Sequence, residues 1–243
     1  MRRRFFVEQF NGTAAVIEGD TAHHLGHVLR AESGQLYELS DGSAAWLARI
    51  ESVARDRIEF ALLELLPAPQ PAADITLLLS IVKFDAFEWA IEKATELGVI
   101  TIIPVAAARS EKGLLAAAAK RSQRWQKILL ESSQQSRRLR LPQLGDLAKP
   151  AQAFATQSAE FHLMLSERSD APSLRNILGH SNPVKVPARA ALAIGPEGGW
   201  TDDELSAARA NGFQEASLGQ LILRTETAVI AALAALNYAL SPD

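Results

Sequence analysis

Two glycine-bearing segments in the C-terminal half of the chain have the residue types best suited to hold a ligand. The first is the sequence GPEGGW at residues 195–200, and the second is LGQLILRTETA at residues 218–228. Glycine lets a backbone approach a ligand closely, and ligands of α/β proteins bind at strand ends. A tight structural turn explains the first segment equally well, so both interpretations stay open at this point.

An arginine and a glutamate, Arg224 and Glu226, flank the predicted start of the last helix. Capping by Thr225, with an acidic residue in the first helical turn, accounts for much of this pattern. It does not account for two glycine-bearing loops after successive strands, which together favour one pocket. Neither segment has the P-loop or GxGxxG spacing, so triphosphate or dinucleotide chemistry is not favoured.

The region from residue 74 to residue 243 has the pattern of an α/β domain that would position both segments. An apolar run at 75–82, an amphipathic helix that ends near Gly98 and a strand at 100–105 predict a βαβ unit. Thr201 and Glu204 predict a capping box. Further strands are expected at 161–165, 190–194 and 215–218, and helices at 114–136 and 227–240. The last helix is apolar nearly all round, and we expect a subunit interface to cover it.

Residues 1–70 have the pattern of a small β-barrel. Asp41 and Gly42 predict a hairpin turn, and Thr21 is the expected cap of a short helix at 22–30. The proline-rich stretch at 67–74 resists regular structure and marks the domain boundary. The strands of the barrel are expected at 5–7, 14–17, 35–39, 45–50 and 57–64.

The composition is that of a globular protein of 243 residues with 48% hydrophobic residues and a formal net charge of -3. The absence of cysteine excludes disulfides and thiolate chemistry and fits a reducing compartment. No run has the length or hydrophobicity of a signal peptide or membrane span, so we expect a cytoplasmic protein. His23, His24 and His27 lack a nearby acidic ligand, and no metal site is predicted.

The two glycine-bearing segments, together with EWAIEKATELGV at 88–99, RWQKI at 124–128 and HVLR at 27–30, resemble the RsmE family over nearly the whole chain. RsmE enzymes belong to the SPOUT superfamily and use S-adenosylmethionine to methylate ring nitrogen 3 of a uridine in 16S ribosomal RNA of the small subunit. The resemblance implies a PUA-like RNA-binding barrel, an α/β methyltransferase domain with a trefoil knot, and a homodimer.

The resemblance also implies residue roles. Arg224 and, across the dimer, Arg138 would stabilise the uridine anion. Glu226 would accept the ring proton or serve as a structural partner of Arg224 or of the helix start, so the general base stays unassigned. The cofactor loops map onto Gly195, Pro196, Glu197, Gly198, Gly199, Leu218, Gly219, Ile222 and Leu223.

Basic residues offer phosphate contacts despite the negative net charge. A solvated basic surface is the alternative meaning of such a set. Its members are Arg2, Arg3, Arg4, Arg30, Lys83, Arg137 and Arg140.

Several positions depart from the pattern of the RsmE family. Leu221 and Ala86 stand where basic residues are common, Phe84 stands where glycine is usual, and SQQSRR at 133–138 replaces AEQSGR. These changes bear on RNA binding more than on a cofactor held by backbone. Three rival functions remain: a ribose-methylating SPOUT enzyme, an RNA-binding protein without catalysis, and a nucleotide-binding α/β enzyme.

Overall fold

The chain divides into two compact units. A computed structural model describes residues 3–67, 71, 73–179 and 189–240, so Arg2 and part of the proline-rich stretch lie outside the described residues. The N-terminal unit comprises residues 1–70 and Ser133–Leu141, and the C-terminal unit comprises Pro71–Ser132 and residues 142–243.

The N-terminal unit is built on a five-stranded sheet in the order β1-β3-β4-β5-β2. Strand β1 pairs with β3 in parallel, and the other neighbours are antiparallel. Side chains that include Phe5, Leu39, Ile50 and Phe60 form its buried core. The strands are β1 (Arg4–Phe6), β2 (Ala14–Glu18), β3 (Leu36–Ser40), β4 (Ala45–Val53) and β5 (Arg57–Leu66).

The turn between β3 and β4 is confirmed, whereas the cap of the short helix is wrong. The Asp41 side chain accepts hydrogen bonds from the amides of Ser43 and Ala44. Helix α1 (Gly19–His23) has Glu18 at its N-cap and continues as a π-helical turn, His24–Val28. The positive φ of Gly19 lets the chain turn from β2 directly into this helix. Thr21 therefore lies inside the helix.

Within the described residues, the C-terminal unit contains a six-stranded parallel sheet in the order β11-β9-β10-β6-β7-β8. Helices pack on it through two apolar clusters. The strands are β6 (Asp74–Ser80), β7 (Thr101–Val105), β8 (Gln143–Leu144), β9 (Phe161–Leu165), β10 (Arg189–Ile194) and β11 (Gln214–Ala216). The helices are α2 (Phe84–Glu96), α3 (Lys112–Ala118), α4 (Ser122–Gln135), α5 (Pro150–Ala155), α6 (Leu174–Gly179), α7 (Asp202–Ala210) and α8 (Thr225–Leu240).

The predicted βαβ unit is present as β6, α2 and β7. Leu77 and Leu79 face one apolar cluster and Leu78 faces the other, as expected for a strand buried on both faces. Gly98 has a φ of +93°, and its amide donates to the carbonyl of Thr95 at 3.1 Å. This geometry ends the helix at the predicted position.

The predicted long helix at 114–136 is wrong as a single element. It is divided into α3, a 3₁₀ turn at Ala119–Arg121 and α4. Arg121 and Arg124 bind the buried carboxylate of Glu88 at 3.2 and 2.7 Å. The hydrophobic periodicity continues from α3 into α4, so it does not indicate these tertiary contacts or the division of the helix.

Helix α8 has one buried side and one exposed side within the C-terminal unit. Val229, Leu233 and Leu236 are fully buried, whereas Tyr238 is 89% exposed. None of the helices in the described part of the chain has the length and hydrophobicity needed to cross a membrane.

Candidate active site

Three loops at one edge of the parallel sheet enclose a cavity of about 390 Å³. The loops follow β9, β10 and β11. They lie close together because the carboxyl ends of parallel strands are at the same edge of the sheet. The volume is within the range of roughly 300–1,000 Å³ that is usual for small-molecule sites. The nine residues predicted for the cofactor loops all line this cavity: Gly195, Pro196, Glu197, Gly198, Gly199, Leu218, Gly219, Ile222 and Leu223.

The glycine-rich turn after β10 is fixed by the buried side chain of Glu204. The predicted capping box is confirmed: the Thr201 hydroxyl accepts from the Glu204 amide, and the Glu204 carboxylate accepts from the Thr201 amide at 2.8 Å. The second carboxylate oxygen accepts from the amide of Ala108 at 2.8 Å. One side chain therefore joins the loop after β10 to the loop after β7.

Trp200 joins the glycine-rich turn to the end of β9. Its indole N–H donates to the carbonyl oxygen of Leu165 at 3.1 Å. A Cβ atom at Gly195 would lie 3.1 Å from the indole ring. The absence of a side chain at Gly195 therefore allows the tryptophan to seal this side of the cavity.

Arg109 lines the cavity, whereas the sequence placed it only among basic residues that could extend an RNA-contacting face. It follows β7, and its Nη1 donates to the carbonyl oxygen of Gly198 at 2.7 Å. A second arginine of the cavity, Arg168, is bound to Asp170 and Asp202. The only sequence signal for Arg109 is its position shortly after a predicted strand, which is shared by many surface residues.

A second cavity, of about 650 Å³, adjoins the first and shares part of its wall. The shared residues are Glu167, Glu197, Ile222 and Leu223. The remaining lining residues are Lys83, Asp85, Ala86, Trp89, Arg224 and Glu226. The structure therefore brings together three of the polar side chains predicted to act on RNA, which come from two distant segments.

The backbone between the two cavities is held by Thr225. Its hydroxyl donates to the carbonyl oxygen of Gly195 at 3.3 Å, and Arg224 provides the carbonyl that accepts from the amide of Ala228 at 2.9 Å. Arg224 is exposed at the start of α8 and Glu226 is half-buried in its first turn. Both side chains thus stand on a rigid helical start.

Trp89 and Glu167 were missed by the sequence analysis. Trp89 is 44% exposed on α2, on the side away from the buried residues Phe87 and Ile91. A large aromatic residue outside the apolar face of an amphipathic helix is a signal that could have found it. Glu167 carries no comparable signal.

The remaining predicted residues lie in the N-terminal unit. Arg3, Arg30, Arg137 and Arg140 are exposed. Burial lowers the pKa of the Arg138 guanidinium to about 10. The exception in this set is Arg4, which is buried and bound to Glu38. Its charge serves the interior of the unit, which corrects the expectation of a surface contact.

The histidine cluster shows ring packing. The rings of His23 and His27 stack with centroids 4.4 Å apart. Within the described residues, no group of three or more histidine, aspartate or glutamate side chains is placed to hold a metal ion.

The residues that depart from the RsmE pattern lie either on a cavity wall or in a packed contact with other side chains. Leu221 is 82% exposed and lines the first cavity, and Ala86 lines the second. Phe84 instead packs near Trp125, and the Arg121 guanidinium lies 4.5 Å from the centre of its ring. Phe84 therefore has a structural partner.

Comparisons with known protein families agree with this geometry. Residues 68–237 match the RNA methyltransferase domain family, and residues 17–63 match the RNA methyltransferase PUA domain family. A curated relative, ribosomal RNA small subunit methyltransferase E of Bacillus subtilis, is 31% identical across 91% of this chain and 89% of its own length. The chain belongs to the RsmE family.

Further proteins show the same likeness. The enzyme of that name from Synechocystis is 36% identical over 88% of this chain and 70% of its own length. A structure of ribosomal RNA small subunit methyltransferase E from Neisseria gonorrhoeae, bound to S-adenosyl methionine, has a TM-score of 0.85 and 31% identity over 98% of each chain. A methyltransferase of Legionella pneumophila, in complex with SAM, has a TM-score of 0.86 and 29% identity over 98% of each chain.

We expect Gly198→Val to weaken S-adenosylmethionine binding at least about tenfold. A Cβ atom at Gly198 would lie 3.3 Å from Cβ of Arg109, so the arginine must move, and the added methyl groups reduce the space for a ligand. Titration calorimetry measures the affinity. Gly179→Val is the matched control, since nothing lies within 4 Å of a Cβ at Gly179. An unchanged affinity in folded Gly198→Val would remove the glycine-rich turn from the cofactor site.

Proposed function

We propose that this protein transfers a methyl group from S-adenosylmethionine to ring nitrogen 3 of a uridine in 16S ribosomal RNA, in the cytoplasm. The observation that carries the proposal is the pair of adjoining cavities. One is lined by glycine-rich backbone and apolar side chains, and the other contains Arg224, Glu226 and Lys83. The RsmE relatives support this assignment, and so do two similar structures, one of them an RsmE enzyme, that are solved with the same cofactor.

The first cavity fits the chemical groups of the cofactor. The glycines at 195 and 198 let Trp200 and Arg109 pack closely against the turn. The exposed side chain of Ile222 and the half-buried side chain of Leu223 offer apolar surface to an adenine ring. The carboxylates of Glu167 and Glu197, on the wall shared by the cavities, favour a positive charge there. When bound, S-adenosylmethionine supplies a methyl group on a positively charged sulfur.

The second cavity fits a uracil that has lost its N3 proton. The nitrogen electron pair is a good nucleophile only after deprotonation. A guanidinium next to the base oxygens stabilises the resulting anion, and we assign this role to Arg224. Lys83 adds a second positive charge to the same cavity, and Trp89 offers an aromatic face on which a base can stack.

Glu226 has two roles open to it. Its carboxylate lies in the same cavity as Arg224 and is able to accept the N3 proton, or it orients the arginine. Glu226→Gln distinguishes the two, since the amide still accepts a hydrogen bond but does not act as a base.

We propose that the protein acts as a homodimer and that its C-terminal region forms a trefoil knot. The exposed side of α8, with Tyr238 at 89% exposure, supports a covering subunit. Membership of the RsmE family supports the knot. In the dimer, Arg138 of one copy would reach the uracil held by the other, and Arg3, Arg30 and Arg140 would contact RNA phosphates.

The experiment that tests the function combines purified protein, labelled S-adenosylmethionine and small ribosomal subunits from cells that lack the activity. The RNA is digested and the labelled nucleoside identified. Label in 3-methyluridine is the expected result. Label on a ribose hydroxyl would favour the ribose-methylating alternative. Absence of label, with cofactor binding proven, would favour an RNA-binding protein without catalysis.

We expect Arg224→Ala to lower the single-turnover rate constant by about 10²–10³-fold at neutral pH, because the uridine anion loses its counter-charge. The rate of the variant should continue to rise at pH values where the wild-type rate has levelled off, since the N3 proton is held more tightly. Arg189→Ala, which removes an exposed arginine on β10, serves as the control. Identical pH profiles for wild type and Arg224→Ala would rule out this role.

We expect Tyr238→Glu to raise the dimer dissociation constant about tenfold or more, because it places a charge on the exposed side of α8. Sedimentation equilibrium measures the change. Gln126→Glu adds the same charge to an exposed position of α4 and should leave association unaffected. Equal dissociation constants for the two variants would count against α8 as the interface.

A further inference from the structure

The segment Ser133–Leu141 belongs to the N-terminal unit and is held there by three side chains. Arg4 donates from Nε and Nη2 to Oε2 of Glu38, at 3.2 and 2.9 Å, and from Nη1 to the carbonyl oxygen of Arg137 at 2.7 Å. Nη1 of Arg137 lies 3.4 Å from the other carboxylate oxygen of Glu38. These three residues, Arg4, Glu38 and Arg137, are the clamp cluster.

The clamp cluster is a buried and specific arrangement. Arg4 is 5% exposed and Glu38 is 7% exposed. Burying an ion pair has a large desolvation cost that its mutual attraction only partly offsets, so such a pair is weak evidence for stability alone. What the pair does provide is a fixed direction for the Arg4 guanidinium toward the backbone of Arg137.

Arg137 has a backbone conformation that disfavours residues with side chains. Its φ is +57°, and the next amide, that of Arg138, donates to the carbonyl of Ser133 at 3.0 Å. This is the turn that ends a helix, and glycine is the usual residue at its left-handed position. Arg4 binds the carbonyl of Arg137, and Glu38 binds its side chain. These contacts offset the cost of the unfavourable φ.

The residues after Arg138 are anchored as well. The carbonyl of Leu139 accepts from the Ser40 hydroxyl at 2.8 Å, and Nε of Arg140 donates to the carbonyl of Gly42 at 2.6 Å. The backbone is therefore held by hydrogen bonds on both sides of Arg138. Strand β3 and the turn that follows it provide the contacts on the C-terminal side.

We propose that Arg4 and Glu38 are positioning residues that hold the Arg137 backbone in its left-handed conformation and so direct the Arg138 guanidinium. This inference rests on the proposed function, in which Arg138 stabilises the uridine anion. It adds a second task for the N-terminal unit besides RNA binding. The lowered pKa of Arg138 fits this placement, since a partly desolvated guanidinium attracts an anion strongly.

Hydrogen exchange tests whether the cluster fixes the segment. Glu38→Gln should speed amide exchange at 137–140 at least about tenfold. Arg137→Ala should do the same, whereas Arg137→Gly should not, because glycine accepts the positive φ. The comparison of Arg137→Ala with Arg137→Gly tests the proposal even if Glu38→Gln fails to fold. Arg49→Gln, which breaks an exposed ion pair with Glu51 in the same sheet, is the control. Equal exchange in the two Arg137 variants would overturn the proposal.

Single-turnover methylation tests whether the cluster acts through Arg138. Glu38→Gln should lower the rate constant roughly 10- to 100-fold, with the affinities for RNA and S-adenosylmethionine unchanged. In an Arg138→Ala background it should have no further effect. Equal losses in both backgrounds would overturn the proposal. A wild-type protein that methylates no uridine would refute the proposed function and the catalytic half of this inference, while the exchange result still decides whether the segment is clamped.

Discussion

Parallel pairing of β9, β10 and β11 is the constraint on which the site depends. Because neighbouring strands point the same way, the loops that follow them meet at one edge and enclose a cavity. The side chains of Glu204 and Trp200 tie these loops to their neighbours, since the first binds the amide of Ala108 and the second the carbonyl of Leu165. Hydrogen bonds to buried backbone groups of this kind hold irregular chain in one conformation.

Much of the C-terminal unit was predictable because its signals are local. The capping box at Thr201 and Glu204 and the helix end at Gly98 are each defined by a few neighbouring residues. The gathering of the glycine-bearing loops follows from strand order, which alternating strand and helix patterns indicate. The role of Arg109 could not be predicted in this way. Its bond to Gly198 joins residues 89 positions apart, and no periodicity records such a contact.

The errors share a physical cause with that omission. The division between α3 and α4 and the inward direction of Arg4 both involve charged residues with buried partners, Glu88 and Glu38. From sequence alone, an arginine is most simply placed on the surface, since it is almost never fully buried unless paired. Whether an arginine has a buried carboxylate partner depends on the tertiary structure and is not visible in the local sequence. Basic residues were therefore the least reliable part of the site prediction.

The departures from the family pattern differ in whether the structure compensates for them. Phe84 and Arg137 stand where the RsmE pattern has glycine, and each has acquired partners: Arg121 and Trp125 for the first, Arg4 and Glu38 for the second. Ala86 instead faces a cavity, where a missing basic side chain changes the wall without straining the fold. Leu221 likewise lines a cavity, so these two departures change surfaces that are open to a ligand.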